Sequence, residues 1–92
     1  MRMVISYDVS DDRRRRKVAT MLEGCGFRVQ YSVFECDLDA EALRALQRRL
    51  RPLISKRGGE SVRFYPLCAE CRKRVEVIGQ DNGRELGAVV IV

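Results

Sequence analysis

Histidine is absent from the 92 residues, proline occurs twice, and no apolar run approaches the ~20 residues that a membrane-spanning helix needs. The first absence removes the commonest general base and the nitrogen ligands of ordinary zinc sites. The last argues against a membrane protein. The apolar stretch from Met1 to Tyr7 is broken by Arg2 and Ser6 and followed at once by Asp8, so it does not read as a secretory signal, and a cytoplasmic location is expected. Aromatic residues are few, and Tyr7, Phe27, Tyr31, Phe34, Phe64 and Tyr65 fall mostly at core-facing or sheet-packing positions. They do not form the stacking platform that single-stranded RNA readers use, so base-specific recognition is not expected.

Four cysteines stand at 25, 36, 68 and 71. Without an export signal they are expected as reduced thiols. The spacing Cys68-Ala-Glu-Cys71 is half a zinc site, with no second pair in the chain to complete it. Two copies would supply four thiolates across a dimer axis, but local packing is the simpler account.

Basic residues number 18 against 13 acidic ones, a net charge of +5, and most are arginine, which forks onto phosphate better than lysine does. This favours an anionic partner, subject to how the charges are arranged. A chain this short leaves roughly 40% of its unfolded surface exposed, so one domain (1–92) with a limited core is expected, and dimerisation would enlarge that core.

Met3 to Tyr7 has the β-branched, apolar character of a first strand and runs into Asp8-Val-Ser-Asp-Asp12. Ser10 or Asp11 caps a helix whose buried stripe is Val18, Met21, Leu22 and Cys25, with Gly24 and Gly26 as the stop. Phe27, Val29, Tyr31 and Val33 alternate with Arg28, Gln30, Ser32 and Phe34; this is one long strand or, as favoured here, a pair bending near Gln30 to Ser32. Asp37 or Asp39 caps a second helix with the face Leu43, Leu46, Leu50 and Leu53 or Ile54, Pro52 kinking only its end. Ser61 to Tyr65 is a strand closed by Pro66, followed by a turn at Cys68 to Cys71, a short strand Val75 to Ile78, a loop from Gln80 to Gly83 and a β-forming tail, Ala88 to Val92. That tail would be adhesive if left alone, and residues 80–92 are expected to place it against a partner subunit. The order β-α-β-β-α-β with extra C-terminal strands is an α+β, ferredoxin-like pattern, two helices covering one face of an antiparallel sheet and leaving the other face for a second copy.

Two features carry chemistry. Asp8 ends a rigid strand, where a carboxylate either opens an Asx-turn or ligates a cation. One carboxylate is a weak Mg²⁺ site, and two subunits would each donate one. Beside it runs Arg13-Arg14-Arg15-Arg16-Lys17. At 100° per residue from Val18, Arg13 and Arg16 point away from the core stripe, Arg15 and Lys17 flank it and Arg14 lies above it. Cations in a first helical turn oppose the dipole by about 0.3–1 kcal/mol each, partly offset by Asp11 and Asp12; phosphate binding is one reason to tolerate that cost, and a solvated charged face is the other reading of such a run.

Three stretches, Tyr7-Asp-Val-Ser-Asp-Asp12, Arg28-Val-Gln-Tyr-Ser-Val-Phe-Glu35 and Ser61-Val-Arg-Phe-Tyr-Pro-Leu67, in this order and spacing, resemble the small CRISPR-associated Cas2 family over nearly the whole chain. The resemblance implies a ferredoxin-like homodimer that joins the CRISPR integrase in capturing DNA as new spacers. Some members are described as metal-dependent endonucleases on RNA or double-stranded DNA. It puts the family's metal-binding aspartate at Asp8, preceded by its tyrosine at Tyr7, and helix-one basic positions at Arg15 and Lys17, where lysine replaces a common arginine. Arg28 and Phe34 match positions near the dimer cleft, and Ser10 is the small hydroxyl residue after the aspartate. The implied chemistry is Mg²⁺ (or another divalent cation) held by two Asp8 carboxylates, polarising a phosphodiester and activating water. A non-catalytic DNA-holding scaffold and a free-standing toxin-like ribonuclease are the alternatives on the same fold.

Overall fold

The computed structural model describes residues 1–80 and the backbone of Val89–Ile91. Strand β1 (Arg2–Asp8) is followed by α1 (Asp12–Glu23), the hairpin β2 (Gly26–Gln30) and β3 (Val33–Asp37), then α2 (Ala40–Leu50), which tightens into a 3₁₀ turn at Arg51–Leu53. After it come β4 (Ser61–Leu67), the single-turn α3 (Ala69–Arg72), β5 (Glu76–Ile78) and β6 (Val89–Ile91). The main sheet has the order β2-β3-β1-β4, with every neighbouring pair antiparallel. This is the ferredoxin-like arrangement the sequence pattern predicts.

Strand periodicity divides β1 between two faces. Met3, Ile5 and Tyr7 are buried on the helix side, opposite Cys36 and Phe34 of β3 and Pro66, Phe64 and Val62 of β4. Val18, Ala19 and Leu22 of α1 and Leu46 and Leu50 of α2 close over them. Met21, Cys25 and Leu43 pack at the margin of this cluster, as do Leu53 and Ile54.

Each helix begins where a side chain can accept a free amide. Asp11 accepts from the Arg14 N–H at 2.9 Å and Asp39 from the Ala42 N–H at 2.7 Å, which decides both pairs of cap candidates. Gly24 caps α1 in an ordinary helical conformation (φ −72°). Gly26 is not part of the stop: it opens β2, where an added Cβ would fall 2.0 Å from the Glu35 carbonyl oxygen. Pro66, expected to close its strand, lies within β4, which runs on to Leu67. β4 is an edge strand of this sheet, and such strands tolerate proline because half of their N–H groups face no ladder.

The second face, expected to be open, is partly covered by the chain itself. Arg2 is buried there, its guanidinium 5.2 Å from the Phe27 ring centroid, forked onto Asp37 at 3.0 Å and bonded to Glu35 at 3.0 Å. Arg72 of α3 reaches Asp37 at 3.6 Å. β5 then faces Val29, Gln30 and Glu35 across a crevice of about 320 Å³. The tail forms a strand, as expected, and pairs in parallel with β5 of its own chain. The rest of the expected 80–92 segment, residues 81–88 and 92, lies outside the described residues.

Candidate nucleic-acid and metal site

Asp8 is the last residue of the central strand, in register with Ser61 of β4, and belongs with Arg2, Val4 and Ser6 to the face away from the helices. It is exposed at the end of the strand, where β1 is still paired with β4 although its ladder with β3 ends at Ser6, so its position is set by the sheet edge with β4 and not by a loop. The next residue, Val9, is buried and turns the chain into α1.

A carboxylate not anticipated from the sequence holds this turn. Glu60, just before β4, is buried and accepts from the Ser10 N–H at 3.0 Å, the Ser10 hydroxyl at 2.7 Å and the Ser55 N–H at 2.8 Å. Arg14 donates to both of its oxygens, at 2.5 Å and 3.0 Å, and also to the Leu53 carbonyl at 2.8 Å. The Arg14 bonds, then the Ser55 amide and the Ser10 hydroxyl, hold the Glu60 carboxyl far below the usual carboxylate range. The only local signal for it is a lone glutamate after Gly58-Gly59, Gly59 taking φ +74° to make the turn. Its partners are remote in sequence, so periodicity carries no trace of them.

The basic run divides into distinct roles. Arg13, Arg16 and Lys17 are exposed and make no side-chain ion pair among the described residues. Arg13 and Arg16 are placed as the helical angle predicts, while Lys17 is more exposed than a flanking position suggests. Arg14, expected to grip phosphate, is half-buried, with its guanidinium committed to Glu60. Arg15 is half-buried; it pairs with Asp12 and donates to the Val9 carbonyl at 3.1 Å, and the Asp12 pairing raises its pKa. It thereby ties α1 to the residue that follows Asp8.

Tyr7, Arg28 and Phe34 lie on the opposite side of the sheet from Asp8. Phe34, expected near the dimer cleft, is wholly buried, with its ring 6.3 Å from that of Tyr7 and the Arg28 guanidinium 5.1 Å from its centroid. Arg28 also approaches Glu23 at 3.9 Å. Burial raises the pKa of the Tyr7 phenol, with Arg28 opposing the shift. Tyr7 and Arg28, with Arg15, Arg16, Ala19 and Tyr31, line a cleft of about 140 Å³ beside α1, and Phe34 is buried behind Arg28. The expected site is therefore two regions joined through β1 and α1: one exposed carboxylate on one face, and a cationic aromatic cleft on the other.

Among the described residues no group of three or more acidic or thiol side chains is placed to hold a metal ion. Asp11 and Asp12 are engaged with α1 and Glu60 with Arg14, which leaves Asp8 as the carboxylate of this turn available to a cation. A single carboxylate with water and a substrate phosphate is compatible with Mg²⁺, and a second carboxylate would have to come from another copy.

The chain is a small, basic α+β domain with a ferredoxin-like sheet, an exposed carboxylate at the end of its first strand and an arginine-rich first helix. The family model for CRISPR associated protein Cas2 matches residues 1–75, and the chain belongs to that family. It is 53% identical over 76 residues to CRISPR-associated endoribonuclease Cas2 1 of Chloroflexus aurantiacus, covering 83% of this chain and 82% of that one. It is 42% identical over 88 residues to CRISPR-associated endonuclease Cas2 2 of Thermus thermophilus, covering 96% and 92%. Among solved structures, Streptococcus pyogenes Cas2 superposes with a TM-score of 0.76 at 34% identity, over 86% of this chain and all of that one. A chain of a partial Cas6-RT-Cas1–Cas2 complex gives 0.68 at 31% identity, over 88% and 89%.

Proposed function

We propose that this protein works as a homodimer in CRISPR adaptation, holding nucleic acid by its backbone beside a Cas1-type integrase and cleaving phosphodiesters in RNA or duplex DNA with a divalent cation. The observation that carries the proposal is the position of Asp8: an exposed carboxylate at the end of a central strand, on the face of the sheet away from the helices. The kinship with proteins named endoribonuclease and endonuclease supports a nuclease, and the likeness to a chain of a Cas1–Cas2 complex supports the integrase partner.

In this proposal Asp8 of each copy holds Mg²⁺, which when bound polarises the scissile phosphate and lowers the pKa of its water. Arg13, Arg16 and Lys17 hold the phosphate backbone, a sequence-independent and salt-sensitive interaction. Arg15 and the Ser10–Glu60 bonds keep the 9–11 turn, and with it Asp8, in place.

Cleavage of labelled RNA and duplex DNA by the purified protein, with Mg²⁺ or with EDTA, tests the catalytic part. Activity that needs Mg²⁺ and disappears in Asp8→Asn supports it; equal activity in that variant assigns the cleavage elsewhere. That each chain offers a single unengaged carboxylate in this turn, Asp8, also favours a second reading, a DNA-holding scaffold, in which Asp8→Asn leaves spacer acquisition intact while neutralising Arg13, Arg16 and Lys17 abolishes it.

A further inference from the structure

We propose that Cys68 and Cys71 form a reversible dithiol–disulfide couple that reacts with low-molecular-weight disulfides, Cys68 as the attacking sulfur and Cys71 as the resolving one. Both thiols are free and exposed, at the two ends of one helical turn. Cys68 occupies the cap of α3, and its sulfur accepts from the Cys71 N–H at 3.3 Å. A spacing of three residues brings both side chains to one side of that turn.

The surroundings favour thiolate at one position only. The amide and thiol of Cys71 lower the pKa of Cys68, while the same contact raises that of Cys71. The other two cysteines are built differently. Cys36 is buried, pushed up to about 12 by burial, and Cys25 is half-buried, its thiol donating to the Met21 carbonyl at 3.4 Å.

The chemistry is thiol–disulfide exchange. The Cys68 thiolate attacks one sulfur of the external disulfide, forming a mixed disulfide and releasing one thiolate. Cys71 loses its proton to solvent and attacks the Cys68 sulfur, expelling the second thiolate. The two protein thiols are oxidised, the external disulfide takes up both electrons, and two small thiols leave. The new bond closes the existing turn between β4 and β5.

The test treats the reduced full chain with oxidised glutathione, quenches with acid and maps the products by mass spectrometry. The expected product has lost about 2 Da within the peptide holding both cysteines, and dithiothreitol reverses it. Cys71→Ser is expected to stop at a glutathione adduct, a gain of about 305 Da on Cys68, and Cys68→Ser to form its adduct on Cys71 at least about threefold more slowly. Equal rates in the two variants, a disulfide joining two chains, earlier oxidation of Cys25, or stoichiometric zinc shielding both thiols would overturn the proposal.

Discussion

Arg14 and Glu60, 46 positions apart, form a forked ion pair in which both carboxylate oxygens are bonded to the guanidinium. The same carboxylate takes the amide and hydroxyl of Ser10, so one buried group joins the start of α1, the start of β4 and the turn after Asp8. A carboxylate depressed by such bonds contributes stability that is complete above its ordinary value of 4.5 and is lost as pH falls through its folded-state value. Glu60→Gln is therefore expected to lower Tm at neutral pH by about 5 °C or more. The gap to the wild type should narrow below pH 4.5, as the wild type loses a contribution that the variant never had. Thermal melts across the acid range check this; a gap independent of pH would contradict it.

The division of the basic run predicts opposite outcomes for adjacent arginines. Neutralising Arg13, Arg16 and Lys17 together should flatten the dependence of log K on log salt by up to about 2.7 for duplex DNA, about 0.9 for each phosphate contact removed. Arg14→Gln should leave that slope unchanged and lower Tm instead. Fluorescence anisotropy over a salt series, with melts of the same samples, separates the two. A slope loss in Arg14→Gln equal to that of Arg16→Gln would return Arg14 to the phosphate-binding set.

Two neighbouring glycines should respond differently to alanine. At Gly26 the new Cβ would strike backbone, which cannot move without parting β2 from β3, so a loss of about 3 kcal/mol or more is expected. Gly24 has a helical φ and its nearest contact at 3.4 Å, and alanine there should change stability by less than about 1 kcal/mol. Urea unfolding of both variants measures the difference.

What the sequence made legible follows from the range of each signal. The cap at Ser10 or Asp11, the stripe through Val18 and Leu22 and the bend near Gln30 to Ser32 are local patterns; the structure shows the stripe and the bend and chooses Asp11 as the cap. Asp8 was legible because a strand followed by a cap leaves little choice about where its carboxylate stands. Pro66 misled because its position on an edge strand depends on tertiary strand order. The bond between Arg14 and Glu60 was hidden for the same reason: a charge run looks uniform until a distant carboxylate selects one member. The approach of Arg72 in α3 to Asp37 and of β5 to Val29 and Glu35 likewise rests on contacts that no local pattern announces.

The central claim, that two Asp8 carboxylates act together across a dimer, is tested most directly by mixing subunits. Wild-type and Asp8→Asn protein, denatured together in equal amounts and refolded to randomise the pairs, should retain about a quarter of the wild-type Mg²⁺-dependent cleavage, since only wild-type pairs carry both carboxylates. Retention of about half, the value for carboxylates that act singly, would contradict the account.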